Sequence, residues 1–78
     1  MKQKIRKAIE KIMVRDYHFN DDTKLFEQGF LDSMGLMLLI DFLNSEFNIK
    51  TEDGDIINKN FESVNAITKY VKQVSSFL

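Results

Sequence analysis

Apolar residues in this chain recur three and four positions apart and nowhere settle into strict alternation. That spacing is the helical period, so the chain is read as all-α, with no strand to assign. Residues 3–15 carry Ile5, Ala8, Ile9, Ile12 and Met13 on one face and basic side chains on the other. From about Ser33 to Phe47 a second helix is expected, with a core stripe of Leu36, Leu39, Ile40, Leu43 and Phe47. Its opposite side holds Met34, Met37, Leu38 and Asp41, and three of these four are apolar. Such a helix is either covered on both sides or offers its outer patch to a partner. A third helix is expected over 64–75, with Ser63 as its N-cap and Val64, Ile67, Val71 and Val74 facing inward.

The segments between these helices are less regular. Over 16–31 there is no sustained period, yet Leu25, Phe26, Phe30 and Leu31 are too apolar for a free loop, so the segment should lie on the core, turning at Gly29. Asn20 to Thr23 are turn and capping types, and Asp32 or Ser33 is a natural N-cap for the second helix. After a polar loop at 48–55, a short helix or turn near 55–60 would carry Ile56 and Ile57, and Phe61 would anchor the chain. The expected architecture is a small four-helix bundle, three long helices and one short, with a long first loop, forming a single domain over 1–78.

Composition narrows the chemistry. With no cysteine there is no disulfide framework, iron–sulfur cluster or cysteine nucleophile. One histidine, His18, expected at the surface beside Tyr17, leaves little room for a metal cluster or a Ser–His pair. Gly54 does not make a calcium loop: as sixth residue it puts Ile49 first and Asn60 twelfth, where oxygen-rich acidic ligands are required. The three glycines are too far apart for a phosphate loop, and 78 residues bury too little for a large catalytic cleft. No catalytic residue is therefore assigned. No apolar run nears 18 residues and the N-terminus lacks a signal-peptide core, so membrane insertion is not expected and a cytoplasmic location is.

The net charge of −1 is unevenly spread. Residues 1–15 hold six basic groups and one acid, a sum of +5; residues 16–62 hold three basic groups and eleven acids, a sum of −8; Lys69 and Lys72 make the rest +2. An acidic middle repels phosphate backbones, and no aromatic residue is interleaved with the basic start, so nucleic-acid binding is not expected.

The stretch Leu25-Phe26-Glu27-Gln28-Gly29-Phe30-Leu31-Asp32-Ser33-Met34-Gly35 resembles the acyl and peptidyl carrier proteins. Their hallmark is Asp-Ser-Leu or Asp-Ser-Met at the start of the second helix. The resemblance continues through Glu46-Phe47, the acidic loop and Asn60-Phe61-Glu62-Ser63-Val64, and so covers essentially the whole chain. It implies a carrier rather than an enzyme: free-standing, monomeric, and bearing a covalent 4′-phosphopantetheine arm on Ser33 whose thiol holds acyl or aminoacyl cargo as a thioester. By the same resemblance Asp32 assists the modification. The implied partners are a phosphopantetheinyl transferase, an adenylating ligase or acyltransferase, and downstream acyl-accepting enzymes. Met34, Met37 and Leu38, rimmed by Asp41, Asp32 and Glu27, are the expected docking surface. Asp-Ser-Met-Gly and Leu25 to Gly29 resemble, more narrowly, the D-alanine carriers of teichoic acid modification. Gly35 and Leu38 stand where fatty-acid carriers commonly have acids, and the tail lacks the tryptophan and prolines of the D-alanine carriers. Three readings stay open: a general acyl or aminoacyl carrier, a D-alanine carrier, and a helical interaction module without a prosthetic group.

The physics of Ser33 agrees with such an attachment. The first-turn amides of a helix have no intrahelical acceptor, and the helix dipole places positive charge there, so a phosphodiester at this position is well tolerated.

Overall fold

The structure is a computed structural model that describes residues 1–14 and 18–75. Four α-helices follow one another: α1 (Lys2–Ile12), α2 (Ser33–Glu46), α3 (Asn58–Phe61) and α4 (Val64–Ser75), with a 3-10 turn at Asp53–Asp55. No strand occurs among the described residues. Helix α1 packs against both α2 and α4, and the four-residue α3 packs against α4. The core joins Ile5 and Ile9 of α1, Leu39, Ile40 and Leu43 of α2, Phe61 of α3, and Val64, Ile67 and Val71 of α4. This is the small helical bundle that the 3.6-residue period leads one to expect.

Helix α1 is shorter than its apolar pattern. It ends at Ile12, Met13 is already extended (φ −67°, ψ 143°), and the N–H of Val14 donates to the carbonyl of Phe30 at 2.9 Å. A tertiary partner thus takes the backbone out of the helix where the local sequence has no glycine or proline to stop it. The expected last residue, Arg15, and Tyr17 lie outside the described residues; His18 is exposed.

The long first connection is fastened at both ends. Arg6 donates to the carbonyl of Phe19 (2.6 Å), pairs with Asp21 (3.0 Å), and lies 4.5 Å from the Phe19 ring centre. The Phe19 ring meets Phe30 edge-on at 5.6 Å. Farther along, Leu25 N–H donates to Glu62 O (2.8 Å), Asn65 N–H to Asp21 O (3.0 Å) and Asn65 Nδ2 to Asp22 Oδ1 (2.6 Å). Lys24 and Glu62 pair at 2.9 Å, and Glu62 raises the ammonium pKa. As expected, Leu25, Phe30 and Leu31 are buried; Phe26 is half-buried.

Two expectations about α2 and α3 need correction. Spacing puts Leu36 and Phe47 in the core stripe, but both are only half-buried at its edge, because no long helix covers the flank on which they lie. Phe47 instead meets Phe42 edge-on at 6.3 Å. The element near 55–60 is in fact two, the 3-10 turn and α3, and Ile56 and Ile57 between them are exposed. Helix α2 ends at a left-handed residue, Asn48 (φ 52°), with Ile49 N–H returning to Asn44 O at 3.2 Å and Ile49 buried.

Helix α4 matches its expected bounds. Ser63 caps it, its Oγ accepting from Ala66 N–H at 3.1 Å. The expected inner face gains Tyr70, which is buried, while Val74 is half-buried. The Tyr70 ring lies 5.2 Å from Phe61, and its hydroxyl donates to Asp55 Oδ2 at 3.1 Å. Burial first, and then the Asp55 contact, raises the Tyr70 pKa above its ordinary 10.0. An unfolded chain releases that proton at lower pH than the folded one, so this contribution to stability is full below pH 10 and declines as the pH rises beyond it. Urea midpoints measured between pH 7 and pH 11 should fall more steeply above pH 10 in the wild type than in Tyr70→Phe; parallel curves would remove Tyr70 as the cause.

Candidate functional site

The approach to Ser33 is built by one short turn. Gln28 N–H donates to Lys24 O (2.9 Å), Gly29 N–H to Phe26 O (3.2 Å) and Phe30 N–H to Leu25 O (2.8 Å). The last two bonds form a Schellman closure, which requires a left-handed residue at its pivot. Gly29 supplies it with φ +79°. The buried pair Leu25 and Phe30 completes the motif, and Leu31 is buried beside them. The chain therefore reaches Asp32 from a fixed direction.

Asp32 is the N-cap of α2, with extended backbone (φ −119°, ψ −170°) and its Oδ1 accepting from Gly35 N–H at 2.8 Å. Its carbonyl accepts the first helical bond, from Leu36 N–H at 2.9 Å. Ser33 is the first helical residue and is exposed. With the Gly35 amide occupied by Asp32, the amides of Ser33 and Met34 remain without an intrahelical acceptor, at the positive end of the helix dipole. An outward hydroxyl beside two free amides fits a phosphodiester, and the Asp32 carboxylate stands next to it on the chain.

Gly35 has a role that motif reading did not assign. A Cβ there would stand 3.3 Å from Leu31 Cδ2 and 3.4 Å from Asp32 Oδ1. Its absence lets Leu31 tuck under the first turn while Asp32 keeps its cap. The signal in the sequence was a glycine inside a helix, where it is otherwise unfavourable.

Four of the expected docking residues share the outer face of α2. Met34, Met37 and Leu38 are 73%, 59% and 50% exposed, and Asp41 follows on the same row. Glu27 is exposed too, but on the turn before α2, so it and Asp32 stand toward the start of that face. Two grooves adjoin the helix. One, about 300 Å³, is lined by Phe26, Leu36, Ile56, Ile57, Asn58 and Phe61 and begins one turn beyond Ser33. It accounts for the half-burial of Leu36, and periodicity missed it because its far wall is formed by Ile56, Ile57 and the four-residue α3, too short to show a period. The other lies between α2 and α1.

Comparison with known proteins follows the same outline. The family described as phosphopantetheine attachment site matches residues 3–71. The D-alanyl carrier protein of Streptococcus uberis is 30% identical over 76 residues, covering 97% of this chain and 96% of that protein. The D-alanyl carrier protein of Streptococcus suis is 32% identical over 74 residues, covering 95% and 94%. No helix among the described residues is long and apolar enough to cross a membrane. With a match that spans nearly all of the bundle, the chain belongs to the phosphopantetheine attachment site family, the carrier proteins whose prosthetic group is covalent phosphopantetheine.

Proposed function

We propose that this chain bears its phosphopantetheine on Ser33 and works, in the cytoplasm and without catalysis of its own, as the carrier of a D-alanyl group. The observation that carries the attachment point is the exposed Ser33 hydroxyl at the first residue of α2, with Asp32 capping the turn. For the cargo, the support is that two relatives matching nearly the whole chain are D-alanyl carrier proteins. When bound, the arm supplies the thiol that this cysteine-free chain lacks, and no protein thiol competes for the thioester. The chain's own residues do the rest: Ser33 holds the arm, the first turn of α2 accepts its negative charge, and Asp32 positions the transferase's metal. A tethered cargo meets successive enzymes at raised effective concentration. A second reading, a longer apolar acyl cargo, is favoured by the groove that Leu36, Ile56 and Ile57 form one turn from Ser33.

The loading partner in this account is an adenylating ligase that docks on Met34, Met37 and Leu38. Phosphopantetheine-loaded chain, incubated with ATP, D-alanine and a D-alanyl carrier ligase, should gain one alanyl group that neutral hydroxylamine releases. Failure to charge, by a ligase that charges its own carrier, would set D-alanine aside; charging by a fatty-acyl ligase instead would favour the second reading. Burying the exposed apolar residues contributes several kcal/mol at about 25 cal/mol per Å², before association costs. Met37→Lys with Leu38→Lys should therefore lower kcat/KM for loading at least tenfold with unchanged helical circular dichroism. An unchanged loading rate would remove this face from docking.

A further inference from the structure

We infer that the groove between α1 and α2, which shares Leu38 but no other residue with the Met34 and Met37 face, is a second docking site, for an acidic amphipathic helix of a partner protein. Its floor is apolar: Ala8 and Ile12 from α1, Leu38 and Phe42 from α2. Ala8 is the smallest of these, and its short side chain leaves depth between the two helices. At about 260 Å³ the groove is below the ~300–1,000 Å³ of typical small-molecule pockets, a size suited to one inserted side chain.

Charge decides what sort of segment fits. Lys4, Lys7 and Lys11 stand along the α1 rim at three- and four-residue spacing. Lys4 is already paired across the groove with Glu46 at 2.8 Å. Among the described residues Lys7 and Lys11 make no ion pair, and Glu10, the one acid of α1, is not part of the lining. Two uncompensated cations one helical turn apart, about 6 Å along the axis, beside an apolar slot, match a helix with an apolar anchor and two acids one turn apart. A flat anionic membrane suits convex apolar residues, whereas this apolar surface is recessed between two helices. This reading is the reverse of the acidic rim expected at Glu27, Asp32 and Asp41, and it holds for the chain with or without its arm.

The test uses a stapled helical peptide with glutamates at positions i and i+4 and a leucine at i+3. Titrated into the full chain at low salt, it should shift the amide signals of Ala8, Ile12, Leu38 and Phe42, and should do so equally in Ser33→Ala. Lys7→Glu with Lys11→Glu should weaken binding at least tenfold, and a peptide with lysines in place of the glutamates should restore it, which also shows the variant to be folded. Raising the salt to 0.5 M should weaken the wild-type complex several-fold, as screening requires. Absence of shifts at the groove, or equal binding of both peptides to the wild type, would overturn the proposal. So would cosedimentation with phosphatidylglycerol vesicles that depends on Lys7 and Lys11 when the peptide does not bind, or concentration-dependent self-association abolished by the same variant. Loss of phosphopantetheine attachment to Ser33 would contradict the attachment reading and leave this one standing.

Discussion

An alanine in place of Phe61 should leave about half of this protein unfolded at room temperature. Phe61 is 1% exposed and is the one buried residue of α3. That helix has four residues and cannot persist alone, because helix nucleation costs more than one turn returns. Its place is held by the Phe61 ring against Tyr70, at 5.2 Å, and by burial among the residues of α4 and the first loop. Removing a buried phenyl costs about 3–5 kcal/mol in transfer and cavity terms. A core of this size, without disulfide or metal, supplies only about 3–5 kcal/mol in total. The two figures nearly cancel, so urea titration followed by circular dichroism should show the variant close to its midpoint before denaturant is added. A loss below about 1 kcal/mol would mean that α3 is peripheral. The effect should reach Ser33 as well, since Leu25 and Lys24 in the first loop are fastened to Glu62, the residue after Phe61.

What could be read beforehand was whatever is local. Ile5, Ile9, Leu39, Leu43, Ile67 and Val71 repeat at the helical period, and all six are buried. Asp32 and Ser63 are capping types in front of apolar runs, and both cap. The remainder depended on partners distant in sequence. The end of α1 is set by Val14 meeting the Phe30 carbonyl, and nothing between residues 12 and 14 announces it. The anchoring of Phe19 by Arg6 joins two segments with no shared pattern. Leu36 belongs to the apolar stripe by spacing alone, but its exposure depends on which elements stand opposite, and those are the short turn and α3, too brief to show a period.

The start of α2, where the candidate site lies, was legible for the same reason that the caps were. Asp32-Ser33-Met34-Gly35 is a contiguous helix start, and its geometry follows from short-range rules: extended cap, exposed first residue, amides pointing out. The grooves on either side of α2 join residues from separate elements, and only the folded chain brings them together.

Ser33→Ala should abolish attachment of the arm while leaving stability almost unchanged. The side chain of Ser33 is exposed and the cap is Asp32, so alanine at the first helical position removes no cap. Among the described residues, no other exposed serine or threonine stands at the start of a helix of eight residues or more: Ser63, which precedes α4, is buried and its oxygen accepts from the Ala66 amide. Loss of the oxygen proposed to bear the arm is all-or-none, unlike the graded effects expected at Asp32 or on the Met37 face. The most direct measurement is intact mass after incubation with coenzyme A, magnesium and a broad-specificity phosphopantetheinyl transferase. The account predicts one added phosphopantetheine, mapped by fragmentation to Ser33 and absent from Ser33→Ala. A folded wild-type chain that gains nothing, or a Ser33→Ala variant that still gains the group, would contradict it.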